Sequence, residues 1–303
     1  MIYDVIIVGG GPAGLAAAIY ASRARFKTLL IEKAGCGGQI AITDMLENYP
    51  GFNGGINGFD LAMKLEAQAK EFGAIIAYDE VVGLNLQSQV KQVVTVNNKY
   101  NAKTVIIAAG SNAKRLGIPG ESNFIGSGIS FCATCDAPFY KEKDVLVVGG
   151  GDSALQESIF LAKFAKSVTL IHRRNEFKAA KILQERLLSY PNISVMYNTT
   201  PEEITGKGSV EAVKLKNVET QQTQIIKVQG IFVFIGWAPN TAFVPELSLN
   251  SDGYIITDEN MKTSVEGVFA CGDIRKKQLR QVVTAASDGA QAAISAQHYI
   301  ENH

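Results

Sequence analysis

Charge of one sign is missing from this chain: 29 Lys and Arg balance 29 Asp and Glu across 303 residues, for a formal net charge of zero. Without a net field, neither a nucleic acid nor an anionic membrane is an expected partner. Cysteine is also scarce, with four in all, of which Cys36 and Cys271 stand alone and Cys132 and Cys135 form a Cys-x-x-Cys pair. No second pair completes a four-ligand zinc cage, and His298 and His303 have no matching ligands nearby, so no metal site is expected. Four cysteines are likewise too few for a disulfide scaffold. The charge-free stretch from Val5 to Ser22 is long enough to raise a membrane span, but Gly9-Gly10-Gly11-Pro12-Ala13-Gly14 interrupts it. No basic segment precedes an apolar stretch at the N-terminus, so the expected location is cytoplasmic. What remains is ordinary globular material, 47% hydrophobic and 19% charged, and its length predicts two domains.

An internal repeat organises those domains. Asp4 to Val8 is a β-branched run, followed by Gly9-x-Gly11-x-x-Gly14, a helix-compatible stretch through Ala24, and a second strand from Thr28 to Glu32. In such a βαβ unit the first glycine permits the turn, the second lets the backbone approach a pyrophosphate, and the third packs helix on strand. A second copy runs from Asp144 to Val148 through Gly149-x-Gly151-x-x-Ala154 to a strand at Val168 to Ile171. One fingerprint is weak evidence for a nucleotide. Two in the same structural context are strong evidence.

The copies differ at equivalent strand ends, where Glu32 and His172 each lie the same distance beyond the third small residue. A carboxylate there accepts hydrogen bonds from ribose hydroxyls, which suits the adenosine of FAD or NAD. His172-Arg173-Arg174 instead offers cationic donors for a 2′-phosphate and predicts NADPH over NADH at the second site. The first module closes at Thr104 to Gly110 and the second at Ile231 to Gly236, yet a further apolar strand, Gly267 to Asp273, and an Ala-rich helix from about Gln281 to Ile300 follow. Returning these to the first domain makes the second an insertion. The expected fold class is α/β, two Rossmann-like nucleotide-binding domains with the NADPH domain inserted into the FAD domain. The expected boundaries are 1–112 and 242–303 for FAD and 113–241 for NADPH. Within the turns, Pro12, Ala13, Ala109 and Gly110 fall to FAD, and Asp152, Ser153, Lys178 and Gly236 to NADPH.

Cys132-Ala133-Thr134-Cys135-Asp136 lies shortly before the second fingerprint and joins a two-electron thiol switch to a two-electron cofactor site. Such a pair can close a small disulfide ring, and the motif commonly lowers one thiol pKa to about 7. Asp136, adjacent to Cys135, is the expected general acid for thiol exchange.

Together these motifs, with Gly272-Asp273, resemble a thioredoxin reductase of the small bacterial type over nearly the whole chain. The family's distinguishing mark is a disulfide inside the inserted NADPH domain. The resemblance implies FAD in the outer domain, with Glu32 on the adenosine ribose, Gly38 and Gln39 beside the cofactor, and Asn48 near the flavin ring. It places Asp273 on the ribityl chain and Arg280-Gln281 flanking the isoalloxazine. It also implies Cys135 as the flavin-side thiol, Cys132 as the thiol that attacks thioredoxin, and a homodimer. Because the disulfide must meet both flavin and partner while the nicotinamide also reaches the flavin, the inserted domain is expected to swing about Ser111 to Gly117 and Gly236 to Phe243. The chain departs from the family at Ala137-Pro138, at Asn175 and Lys178, and at Ser287-Asp288, which bears on affinity and rate more than on reaction type.

Four rival readings share parts of this pattern. A dithiol oxidase often has histidine after the second cysteine, where this chain has Asp136. A reductase of peroxiredoxin carries an additional thioredoxin-like N-terminal region, whereas the first fingerprint here begins at Gly9. A related protein using another electron donor or disulfide acceptor fits the same motifs, while a non-catalytic nucleotide sensor has no need of the thiol pair.

Overall fold

The turn after the first strand exists because two of its residues lack a side chain. Gly9 has a φ of +107°, and a Cβ there would lie 2.5 Å from the Ala108 carbonyl oxygen, while one on Gly14 would lie 1.8 Å from the carbonyl oxygen of Gly9. The strand Ile2–Val8 can therefore run straight into the helix Pro12–Arg23. Pro12 suits the helix start, where its missing N–H has no intrahelical acceptor to lose. The computed structural model describes residues 1–43 and 45–303. It divides into two units, Met1–Asn112 with Ala238–His303, and Ala113–Trp237.

The outer unit is built on a seven-stranded sheet ordered Ile75–Tyr78, Thr28–Glu32, Ile2–Val8, Lys99–Ile107, Lys91–Thr95 and Val81–Asn85. The first four strands are parallel and the last two antiparallel. Beside Ile2–Val8 on one edge, Lys99–Ile107 serves two partners on the other: its first half pairs with Lys91–Thr95, and its second half, from Val105 to Ile107, pairs with the late strand Val268–Ala270. The C-terminal segment thereby returns to the sheet that began the chain. Its helix, Val282–Asn302, packs on Pro12–Arg23 at close range, since a Cβ on Gly289 would sit 2.0 Å from the Ala13 carbonyl oxygen. Apolar side chains fill both faces of the sheet, with Ile7, Leu30, Ile106 and Phe269 on one and Ile6, Leu29, Ile31 and Ile107 on the other. Burial on both faces is the habit of parallel sheets. The helix Gly58–Glu71 starts where Asn57 caps it by accepting from the Phe59 and Asp60 N–H groups.

The inner unit repeats the plan with five parallel strands ordered Ile193–Met196, Ser167–Ile171, Asp144–Gly149, Gly230–Phe234 and Ile129–Ser130. Beside them stands an antiparallel meander, Thr199–Thr205, Ala212–Asn217 and Thr223–Lys227, which the repeat does not predict. Each crossing between units is tied down inside its own unit. Asn240 donates through its backbone N–H to Gly110 O at 3.1 Å and through Nδ2 to Ala109 O at 2.8 Å, so the second crossing falls at 237 rather than 241. On the inner side, the buried carboxylate of Glu121 accepts from the Leu116 and Gly117 N–H groups, both at 2.8 Å.

Placing a branched side chain at the tightest helix contact should be costly. Gly289→Val is expected to lower stability by about 1–3 kcal/mol through overpacking against backbone, seen as a lower thermal midpoint. An unchanged midpoint would show that the two helices can separate freely.

Candidate active site

Around the start of Pro12–Arg23, five separated segments converge. A Cβ on Gly9 would contact Ala108 and Ala109, one on Gly38 would come 3.4 Å from Gly11 Cα, and one on Gly272 would lie 2.8 Å from Ala13 Cβ. Glu32 closes the group from the strand end, accepting from Gly10 N at 2.7 Å and from Ala34 N at 3.2 Å. Gly11 itself faces open space, with nothing within 4 Å of where a Cβ would be. No side chain caps the helix, so its first N–H groups remain available to an anion, and the helix dipole favours one there.

Next to this cradle, Asp273 sits in the turn Gly272–Ile274 with Oδ1 enclosed and without a hydrogen-bond partner. Burial pushes its carboxyl up from the usual range, against the pull of Lys277 and Arg280. Arg280 also has an enclosed, unpartnered Nε, and its guanidinium stacks 4.2 Å from the Tyr254 ring centroid. Asn48 Nδ2 donates to Gln281 Oε1 at 3.1 Å, although the two lie far apart in the chain. Gln39 Nε2 donates to Asn112 Oδ1 at 2.9 Å, and Asn112 Nδ2 in turn to Asn240 Oδ1 at 3.0 Å. An uncapped helix, a buried acceptor with nothing to accept from and a buried donor with nothing to donate to together fit a ligand that carries a pyrophosphate and hydroxyl groups.

The second fingerprint is built differently. A Cβ on Gly149 would fall 2.5 Å from Ala154 Cβ, so strand and helix touch here through Ala154 where the first copy has Gly14. Gly151 again faces open space, and Asp152–Leu161 again begins without a side-chain cap. Gly150 makes room for the ring of His172, whose Nδ1 would lie 2.1 Å from a Cβ at that position. This corrects one expectation. His172 is only 8% exposed, its Nε2 is enclosed without a partner, and burial, ahead of the nearby Arg174 and Arg173, lowers its pKa. It is a neutral ring packed near Phe177, at 5.6 Å between centroids, and not a cationic donor. Arg173 and Arg174 are exposed and, with Lys178 and Asn198, line an open cleft of about 330 Å³. Gly236, at the end of the last strand, has a φ of +109°.

The two cysteines are joined in a Cys132–Cys135 disulfide with Cα atoms 5.3 Å apart. Cys132 directly precedes the short helix Ala133–Asp136, and Asp136 N donates to Cys132 O at 3.2 Å. Ser130 fixes the entry to the turn: its hydroxyl accepts from Cys132 N at 3.1 Å and donates to Cys132 O at 3.2 Å. Asp136 lies close to Tyr140, whose phenol is pushed up to about 12 by burial first and by the Asp136 carboxylate second. Cys36 and Cys271 are free and buried, and burial pushes the Cys36 thiol up to about 12. Sequence patterns did not point to Ser130 or Glu121, and they marked only as a departure from the family Asp288. The last accepts from Gly272 N at 3.1 Å and pairs with Lys277 at 2.9 Å, steadying the turn that carries Asp273. Among the described residues no group of three His, Cys, Asp or Glu is placed to hold a metal, and no helix is long and apolar enough to cross a membrane.

The profile of the pyridine nucleotide-disulphide oxidoreductases matches residues 3–289. The thioredoxin reductase of Treponema pallidum is 49% identical over 99% of this chain and 97% of its own length. The chain belongs to the thioredoxin reductases. Among solved structures, the enzyme of Streptococcus pyogenes is similar with a TM-score of 0.94 at 42% identity, covering 100% of this chain and 99% of that one. That of Lactococcus lactis in its FR conformation gives 0.70 at 40% identity, over 99% and 100%. This family of oxidoreductases contains FAD and uses NADPH.

Because His172 is buried and neutral, its proton uptake should oppose folding. Its pKa is depressed in the folded state, so stability is full above the unfolded pKa of about 6.5 and falls as pH drops below it, by at most about 1.4 kcal/mol per pH unit. An NMR titration of the His172 ring should give a midpoint below the ordinary value of about 6.5. Titration at or above 6.5 would contradict the buried, neutral assignment.

Proposed function

We propose that this oxidoreductase reduces the disulfide of thioredoxin with electrons from NADPH, by way of the Cys132–Cys135 pair. The observation that carries the reading is the closed disulfide on the module with the second fingerprint, the one whose open cleft is lined by Arg173, Arg174 and Lys178. The outer unit is the FAD-binding domain, residues 1–112 and 238–303, and the inner unit the NADPH-binding domain. FAD, when bound, accepts a hydride from the nicotinamide and supplies an electron pair to the disulfide.

Gly9, Gly11 and Gly14 shape the turn for the FAD pyrophosphate, Pro12 and Ala13 open the helix behind it, and Glu32 faces the ribose. Asp273 accepts from the ribityl hydroxyls, which gives its enclosed oxygen a donor, while Asn48, Arg280 and Gln281 border the ring. Gly38, Gln39, Ala109 and Gly110 complete the wall. In the inner unit Gly149, Gly151, Asp152, Ser153 and Ala154 form the NADPH turn, with Gly236 at the neighbouring strand end. Arg173 and Arg174 hold the 2′-phosphate and Lys178 adds charge. His172 shapes the site from beneath, filling the space that Gly150 leaves.

At the sulfur pair, Cys132 attacks the thioredoxin disulfide as thiolate, one sulfur of the partner leaves and takes a proton, and Cys135 then displaces the mixed disulfide and re-forms the ring. Asp136 delivers that proton. The inner unit moves about its two short connections during the cycle. A homodimer in the cytoplasm completes the reading.

Replacing Arg173 and Arg174 together with Ala should raise KM for NADPH at least about tenfold, through loss of charge-assisted hydrogen bonds worth about 1.5–3 kcal/mol each, and leave KM for NADH nearly unchanged. Equal effects on both would remove the 2′-phosphate assignment. NADPH oxidation should depend on added thioredoxin and vanish in Cys132→Ser. Turnover that persists in that variant would end the proposed route.

A further inference from the structure

Three cations follow Asp273 closely in the chain, and it pairs with none of them. The side chains of Arg275 and Lys277 are only 14% and 8% exposed, and Arg280 is half-buried with its Nε enclosed. Among the described residues no ion pair reaches Asp273, whose Oδ1 is enclosed without a hydrogen-bond partner. Each cation is held by something else. Arg275 donates through Nε to Thr257 Oγ1 at 2.7 Å and through a terminal guanidinium nitrogen to Asp288 Oδ2 at 3.3 Å. Lys277 Nζ donates to the same Asp288 oxygen at 2.9 Å, and Arg280 lies over the Tyr254 ring.

Asp288, a buried carboxylate on the helix Val282–Asn302, is therefore the common partner of two of the three. Its Oδ2 also accepts from Gly272 N at 3.1 Å, so one oxygen links the Lys277 ammonium to the residue directly before Asp273. A lysine stem is flexible and its ammonium carries three donors. A buried ammonium that loses its partner is strongly destabilising unless another acceptor takes its place. The enclosed Oδ1 of Asp273 is such an acceptor. Burial raises the Asp273 carboxyl, Lys277 is the foremost of the charges that oppose this, and Asp288 adds to the rise.

We propose that Asp288 is a positioning residue for FAD: by engaging Lys277 and Arg275 it keeps both off Asp273, so that the Asp273 carboxyl stays unpaired for the hydroxyls of the cofactor. It acts through the two cations and not on the cofactor. Anchoring the turn through Gly272 N is a separate role of the same oxygen, and the two roles can be told apart. The inference rests on the reading that sets Asp273 against FAD, and on nothing about NADPH, thioredoxin or the sulfur pair.

The test follows FAD leaving the diluted holoenzyme, with bound and free flavin separated by gel filtration at timed intervals. Asp273→Ala should release FAD at least about tenfold faster, through loss of a hydrogen bond to a charged group. Unchanged release there removes FAD from Asp273 and this inference with it. Asp288→Asn keeps an acceptor for the Gly272 N–H, gives up the charge, and should likewise release FAD about tenfold faster. Wild-type release in Asp288→Asn, with Asp273→Ala fast, overturns this inference alone. Adding Lys277→Met removes the freed ammonium, so the double variant should release FAD within about twofold of the rate of Lys277→Met by itself. A mere anchor of the turn predicts no such rescue, and a double variant as fast as Asp288→Asn overturns the proposal. Where Asp288→Asn alone does not fold, the comparison of Lys277→Met with the double variant decides: release about tenfold faster in the double variant overturns the proposal, and matching rates uphold it.

Discussion

Backbone touching backbone without an intervening Cβ is the constraint from which the rest of this molecule follows. Where Gly14 meets the carbonyl of Gly9, a strand can feed a helix with no room lost. The helix then starts without a cap and presents its first N–H groups to whatever anion arrives. A second turn, where Gly149 makes room for the Ala154 methyl, gives the chain another helix that starts without a cap. The last helix presses on the first through Gly289 and Ala13, which brings the Gly272–Asp273 turn over the first cradle. An orphaned oxygen on Asp273 is what that assembly looks like before its ligand is considered.

The sulfur pair obeys a different logic, that of a short turn tethered from below. Ser130 grips both backbone polar groups of Cys132.

Much of this was legible in the sequence because it is local or periodic. The two fingerprints, the Cys-x-x-Cys pair and the return of the C-terminal strand to the first sheet all rest on spacing, and the sheet pairing Val268 to Val105 follows from that return. What was not legible depends on contacts across the chain. His172 reads as one of three cations in a row, yet the missing Cβ of Gly150 draws its ring inside and burial strips its charge. Glu157 belongs to no motif, and only the packing of Ala133–Asp136 on Asp152–Leu161 encloses its Oε2. Asp288 reads as a departure from a Gly-containing stretch, but it anchors Gly272 and neutralises Lys277. The meander from Thr199 to Lys227 carries no motif at all and is specified by pairing alone.

The central claim is that electrons entering from NADPH leave through one sulfur pair. Anaerobic addition of one equivalent of NADPH to the FAD-loaded protein, followed by rapid alkylation and mass spectrometry, tests it most directly. The account predicts alkylated Cys132 and Cys135, with Cys36 and Cys271 unmodified because burial raises both of their thiol pKa values. NADPH consumed while the Cys132–Cys135 bond stays closed would contradict it.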